Sequence, residues 1–307
     1  MMTQKKINIL LVITIICISL AAIFVKLSDA PSTIMAMYRM FLGCLLLSPF
    51  FLKYRKTLKQ IKGKEWFAII FAGIFLAAHF GLWFESLNHT SVASSTLILA
   101  LQPAIALIGG FIFFKEKIQL RTLLTLGVAL IGVAIVGGGN LSLNQDALFG
   151  NLLSLLSVIS VVFYLLIGQR NVKSINHWVY SFLVFFFAGM TLIMVNLIGS
   201  IPLTGYSAND WVVFILLAIF PTGAHIIYNL LLNYVNTTTI SMSTLGEPIG
   251  ASLLAIVLLN EMLTMIEMIG GALIIVGIYL FLKMQSSPNK ALTGNQNHLD
   301  PINNEGT

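Results

Sequence analysis

Long apolar runs separated by short polar stretches dominate the chain. A helix that crosses a bilayer needs about 20 mostly apolar residues. Ten runs come close to this length, at approximately 7–26, 31–52, 66–87, 92–114, 121–139, 148–168, 177–199, 211–233, 238–260 and 265–283. The connections between them are short, which leaves no room for an inserted soluble domain. The pattern predicts an all-α integral membrane protein with ten transmembrane helices.

The composition agrees with a membrane protein and excludes a soluble globule. The chain is 58% hydrophobic and 9% charged, whereas soluble proteins average about 25% charged residues. Cys17 and Cys44 both lie in apolar runs, where thiols behave as small hydrophobes and indicate no disulfide framework. The stretch 284–307 is polar and aperiodic, so it is expected to form a disordered cytoplasmic tail.

The basic residues predict the orientation of the chain in the membrane. Of the 17 lysines and arginines, all but Lys26 and Arg39 fall before the first helix, after the last, or in loops of one side. By the positive-inside rule that side is cytoplasmic, and both termini lie there. This distribution explains the pI near 9.3 as a topology signal, so nucleic acid is not an expected partner.

The second half of the chain repeats features of the first at a shift of 145 residues. The shift aligns identical residues at six positions, without a gap: Leu87/Leu232, Asn88/Asn233, Pro103/Pro248, Ala106/Ala251, Glu116/Glu261 and Gly132/Gly277. We therefore predict two five-helix repeats, residues 1–139 and 140–283. An odd number of helices inverts the second copy, and inverted repeats are a common plan of secondary transporters.

A carboxylate lies in the middle of the ninth predicted helix. Glu247 is followed by Pro248, and the matching dipeptide in the fourth helix is Gln102-Pro103. A charge at mid-membrane costs about 2.5–3.5 kcal/mol, and a proline interrupts helical hydrogen bonding. The two dipeptides are predicted helix breaks that bring polar side chains to a central cavity. In the alternative interpretation, Glu247 only braces neighbouring helices.

Arg39 lies inside the second predicted helix, in the stretch MAMYRMFLG. Its guanidinium cannot readily lose a proton, so it must find a partner or reach water. A structural ion pair or a gating contact is favoured over substrate binding, and the sequence does not identify the partner.

Two further clusters place aromatic rings beside polar groups. In the third helix His79 and Trp83 share a face, and in the eighth His225 and Asn229 do so. Trp83 corresponds to Tyr228 at the 145-residue shift. Such a mixture suits a cavity for an amphipathic organic solute. The alternative is that the rings belong to the membrane interfaces and the histidines are ordinary core residues.

Sequence motifs for other functions are absent. The chain has no phosphate-binding GxxxxGK[ST] loop, no HExxH and no GxSxG. No cluster of acids and histidines has the spacing of a metal site. We therefore expect neither an enzyme nor a bound cofactor or metal.

With these features, the chain resembles the EamA family of the drug/metabolite transporter superfamily. The resemblance covers residues 7 to 283 and rests on features typical of that family: Arg39 in MYRMFLG, the stretch TSVASSTLILALQPA, the prolines Pro103 and Pro248, the acids Glu116 and Glu261, and the dipeptide Glu247-Pro248. The resemblance implies a bacterial inner-membrane carrier, often an exporter of amino acids, metabolites or toxic organic compounds.

The resemblance also implies a cavity lined by helices 1, 3, 4, 6, 8 and 9. That would place Trp83, Gln102, Tyr228 and Glu247 near the substrate. Since position 102 is glutamine, only the second half offers an acid at this depth, which counts against a mechanism with two symmetric carboxylates. Proton coupling, facilitated diffusion and a homodimer stay open. A receptor or scaffold that binds without transport is the alternative function, disfavoured by the inverted repeat.

Overall fold

The computed structural model describes residues 2–90, 92–137, 145–247, 250 and 265–286. Within these residues the chain is helical throughout, with short connections. The α-helices are α1 Gln4–Ser19, α2 Ala21–Lys26, α3 Ser32–Tyr54, α4 Gly63–His89, α5 Val92–Leu99, α6 Gln102–Phe114, α7 Leu120–Gly137, α8 Gln145–Asn171, α9 His177–Ile198, α10 Ala208–Leu231, α11 Thr237–Thr244 and α12 Met265–Ser286. A 3₁₀ helix, Arg55–Gln60, follows α3.

Many of these helices are long and apolar enough to cross a membrane. Six stretches of the described chain meet this criterion: Gln4–Lys26, Ser32–Gln60, Gly63–His89, Gln145–Asn171, His177–Ile198 and Ala208–Leu231. Shorter apolar helices cover Gln102–Phe114, Leu120–Ile135 and Met268–Met284. The predicted all-α membrane protein is confirmed, while the count of ten helices and the side of the termini stay predictions. Most of the predicted tail and the stretch 251–264 lie outside the described residues.

Two of the predicted transmembrane helices are interrupted near their middle. The fourth is divided into α5 and α6 by a turn at Ala100 and Leu101. Gln102 and Pro103 open α6, where the missing N–H of proline is tolerated because the first turn has no intrahelical acceptor for it. In the ninth, α11 is followed by a turn at 245–246. Pro248 lies outside the described residues.

The helix boundaries recur at a constant spacing along the chain. The first residues of α3 and α4 are each followed 145 residues later by the first residues of α9 and α10. The ends of α5 and α11 are related by the same shift, and so are the two turns that follow them. The spacing equals the shift found in the sequence.

The packing of the helices follows the same correspondence. α3 packs against α9 and α7 against α12, so each of these helices contacts its own counterpart. α4 packs against α8 and α9, and its counterpart α10 packs against α1 and α3. Exchanging the two halves therefore leaves this set of contacts unchanged.

α7 and α12 form a tightly packed pair with its own small apolar cluster. A Cβ atom on Gly132 would lie 2.9 Å from the backbone nitrogen of Ile274, and one on Gly277 would lie 2.9 Å from that of Ala129. Glycine at these two positions allows the helix backbones to approach closely.

Candidate functional site

A cavity lies between helices of the two halves and has a volume of about 40 Å³. Its wall includes residues of α1 to α6 from the first half and of α8, α10 and α11 from the second. The cavity brings together seven of the residues singled out from the sequence: Arg39, His79, Trp83, Gln102, His225, Tyr228 and Glu247. The remainder of the wall is largely apolar, and neither α7 nor α12 contributes a described residue to it.

The helix interruptions place Gln102 and Glu247 in the cavity wall. Gln102 begins α6, and its amide nitrogen donates to the hydroxyl of Ser241 on α11 at 3.1 Å. Glu247 follows the turn after α11, and its backbone carbonyl accepts from the Ser19 hydroxyl at 3.3 Å. Both interruptions are thus fixed by hydrogen bonds between segments of different halves.

Arg39 projects from α3 and is only 1% exposed. Its Nε donates to the hydroxyl of Thr222 at 2.8 Å, and that hydroxyl donates to the Leu217 carbonyl at 3.0 Å. The guanidinium carbon lies 3.8 Å from the centre of the Phe80 ring, a cation–π contact. The terminal nitrogens Nη1 and Nη2 are buried, and neither has a hydrogen-bond partner among the described residues.

Glu247 is the acidic group of the cavity wall and is 8% exposed. It is near enough to Arg39 for an electrostatic interaction. The two do not form an ion pair, because in the part of the chain that the structure describes the ion pairs are those of His89 with Glu85 and Asp146. The cavity therefore contains a cationic and an anionic group that are separated.

Aromatic rings cover another part of the wall. The Nδ1 atom of His79 lies 2.8 Å from the hydroxyl of Ser157, and its ring is parallel to that of Trp83 with centroids 6.3 Å apart. His225 lies 6.2 Å from His79 and meets the ring of Tyr228 edge to face at 5.4 Å. These rings form an apolar surface with polar edges.

Asn229 has a different position from the other predicted site residues. It does not line the cavity. Its carbonyl oxygen accepts from the Tyr164 hydroxyl at 2.7 Å, and its amide nitrogen donates to Ser181 at 3.0 Å. These bonds satisfy the side chain and connect α8, α9 and α10, so Asn229 braces the helices behind the wall. Pro103 does not line the cavity either.

Sequence reasoning missed two residues of α10 that shape the site. Pro221 lines the cavity, and Thr222 holds Arg39. Proline inside a transmembrane helix frees a backbone carbonyl, and the Thr222 hydroxyl binds one five residues earlier. The signal was available in the sequence as a mid-helix Pro-Thr-Gly at 221–223.

Comparison with known proteins decides the family. The EamA-like transporter family matches residues 5–138 and again residues 148–283. The chain belongs to the EamA-like transporter family. This membership makes it a multi-pass membrane transporter.

The relatives of this EamA-like protein include curated proteins and solved structures. An uncharacterized transporter of Archaeoglobus fulgidus is 23% identical over 88% of this chain and 94% of its own. The uncharacterized transporter YxxF of Bacillus subtilis is 24% identical over 76% and 78%, respectively. One crystal structure superposes with a TM-score of 0.76 at 16% identity, over 92% of this chain and 98% of its own. At that identity the likeness shows the fold alone.

Proposed function

We propose that this protein is a secondary transporter that moves a small organic solute, such as an amino acid, another metabolite or a drug-like amine. The solute binds in the central cavity between two inverted five-helix repeats, and alternating access exposes it to either side of the membrane. The observation that carries this proposal is the cavity itself. Polar side chains of both halves meet there at two helix interruptions, the arrangement that forms substrate sites in inverted-repeat transporters.

Three observations support two five-helix repeats. The helix boundaries recur at one spacing, the helix contacts are unchanged when the halves are exchanged, and the family matches the chain twice. In inverted copies, similar packing gives the inward-open and outward-open states similar free energies. A carrier needs this balance in order to alternate between them.

The size of the cavity indicates which state of the cycle the structure represents. Sites for organic ligands typically have volumes of roughly 300–1,000 Å³, far above the 40 Å³ found here. The cavity holds little more than a few water molecules, so the structure corresponds to a contracted state that is too small for an organic solute. Binding of a solute requires the halves to move apart, and the interruption before α6 is a natural hinge for this movement.

We assign the protein to the bacterial inner membrane with both termini in the cytoplasm, and its direction of transport to export. The asymmetry of the basic residues supports the orientation. Glu247 exchanges a proton in the proposed cycle and so couples export to the proton gradient. The buried position of this acid in a cavity with Arg39, His79, His225 and Tyr228 supports the role.

Uptake into proteoliposomes tests the function and the coupling. Purified protein is reconstituted, and the internalised members of a mixed pool of amino acids and amphipathic amines are measured with and without a pH gradient. Wild-type protein is expected to concentrate a solute only with the gradient. Glu247→Gln cannot exchange a proton at this position, so it is expected to lose the gradient dependence.

The outcomes separate the alternatives. Gradient dependence that persists in Glu247→Gln would show that this acid does not couple transport to protons. Uptake that only equilibrates in the wild type would make the protein a facilitator. Binding without any uptake would favour a receptor or scaffold.

A further inference from the structure

The two terminal nitrogens of Arg39, Nη1 and Nη2, are buried, and no acceptor in the described chain forms a hydrogen bond with either of them. A buried donor without a hydrogen-bond partner lowers the stability of the protein, and the cost is larger for a charged group than for a neutral one. Native structures rarely keep such groups, except where a function uses them. Arg39 lines the cavity, so a solute that enters this space comes next to its side chain.

We infer that Arg39 binds a carboxylate group of the transported solute and selects solutes that carry one. The inference rests on the proposed transport function and names the chemistry that its cavity recognises. A guanidinium presents two parallel N–H donors at the spacing of the two oxygens of a carboxylate, and the resulting bidentate pair has strong, charge-assisted hydrogen bonds.

The surroundings of Arg39 hold it ready for such a pair. Thr222 fixes Nε, and the face of the Phe80 ring lies against the guanidinium plane. These contacts involve Nε and the face of the guanidinium. They leave Nη1 and Nη2, the two donors proposed to bind the carboxylate, without a partner in the described chain. A donor pair fixed before binding loses little conformational freedom when the ligand arrives.

The alternative is that Glu247 is the permanent partner of Arg39. The structure favours a carboxylate of the solute in that role. The two side chains line one cavity without forming an ion pair. In addition, no hydrogen bond satisfies the Glu247 carboxylate among the described residues. A permanent structural pair would have both groups in contact, because separation leaves each charge buried and uncompensated.

The test compares matched solutes that differ at one group. Proteoliposomes containing the full chain receive two pools, the common α-amino acids and the corresponding α-amino amides, which lack the carboxylate. Wild-type protein is expected to take up acids at least about 10-fold faster than their amides, the size of one charge-assisted hydrogen bond. Equal rates for both would overturn the inference while the transport function stands. Uptake of neither pool would overturn the inference, and the mixed pool of the transport assay then decides separately whether the proposed function stands.

Substitutions of Arg39 assign the preference to this residue. Arg39→Gln is expected to slow uptake of acids about 100-fold, the value of two charge-assisted bonds, and so to abolish the preference for acids over amides. Arg39→Lys keeps the charge without the paired donors, so it is expected to show an intermediate preference even if Arg39→Gln folds poorly. An unchanged preference in Arg39→Lys would overturn the inference.

Discussion

Two regions connect the halves through a charged side chain, Glu116 in one region and Arg39 in the other. They differ in how completely the protein satisfies the hydrogen bonds of that side chain. Near the end of α6, one carboxylate oxygen of Glu116 accepts from Gln169 at 2.8 Å, and the other accepts from Asn236 at 2.8 Å. Gln169 in turn accepts from the backbone nitrogen of Thr237 at 2.6 Å. In the cavity, Arg39 has one bonded nitrogen and two without partners.

The difference separates a structural role from a binding role. At Glu116 both carboxylate oxygens have a protein partner, so the network stabilises the contact between α6, α8 and α11. At Arg39 the protein leaves hydrogen-bonding capacity unused, which lowers stability and reserves the group for a ligand. Functional sites commonly have this property, because a site shaped for its ligand is incomplete without it. Variants in the two regions should therefore change different quantities.

The largest expected effect is at Arg39. Arg39→Gln should slow transport of a carboxylate solute about 100-fold and lower the unfolding temperature less than Glu116→Gln does, because two of the three guanidinium nitrogens that it removes have no partner among the described residues. Uptake by proteoliposomes and thermal unfolding in detergent measure the two quantities. A fall in unfolding temperature as large as that in Glu116→Gln would make Arg39 a structural residue and remove the contrast.

The α7–α12 pair is a third contact between the halves, and it involves no charge. A steric variant of this pair sharpens the comparison. Gly132→Val would place side-chain atoms against the backbone of α12, so it should destabilise the protein by about 1–3 kcal/mol or more, as overpacking does. Gly127→Val is the matched control on the same helix, since a Cβ at that position meets no described atom within 4 Å. Equal unfolding temperatures for the two variants would contradict the close packing.

At Glu116 the effect should be on stability. Glu116→Gln leaves one acceptor for two donors, so it should cost about 1–3 kcal/mol, the value of a buried group left unsatisfied. Glu85→Gln is the control, because Glu85 also accepts hydrogen bonds but its side chain is 45% exposed. Thermal unfolding of both variants measures the difference. A stability loss no greater than that of Glu85→Gln would show that the network is dispensable.

The smallest expected effect is at Thr222. Thr222→Val removes the hydroxyl that accepts from Arg39 and keeps the shape of the side chain. Transport should slow by less than about 10-fold, since one neutral partner is worth about 0.5–1.5 kcal/mol. Initial uptake rates test this. A loss equal to that of Arg39→Gln would mean that orientation by Thr222, rather than the donors of Arg39, sets the rate.

The sequence predicted which residues meet, because polar groups in an apolar segment must gather away from lipid. Seven residues from five predicted helices line one cavity. The 145-residue shift likewise anticipated where helix boundaries recur, since Asn88 and Asn233 lie near the ends of α4 and α10, and Gln102 and Glu247 follow the two turns. Rare residues with a backbone role carry more positional information than the apolar residues around them.

Individual contacts could not be predicted. The pairing of Arg39 with Thr222 and Phe80 depends on how α3, α4 and α10 are rotated about their axes, and apolar faces in a membrane protein hardly constrain rotation. Asn229 shares a helix face with His225, yet it bonds to Tyr164 and Ser181 behind the wall. A hydrogen-bonding side chain in an apolar segment is satisfied either by the cavity or by a neighbouring helix, and its sequence position is the same in both cases.

Filling the cavity tests the central claim, that the solute binds between the two halves, most directly. Leu99 lines the cavity, whereas Leu124 on α7 is 61% exposed and lies outside the wall. The measurement is the uptake rate of Leu99→Trp relative to Leu124→Trp in proteoliposomes, for preparations with matching unfolding temperatures. Uptake at the level of empty liposomes for Leu99→Trp and near the wild-type rate for Leu124→Trp is the predicted result. Uptake at the wild-type rate by Leu99→Trp would contradict binding in this cavity.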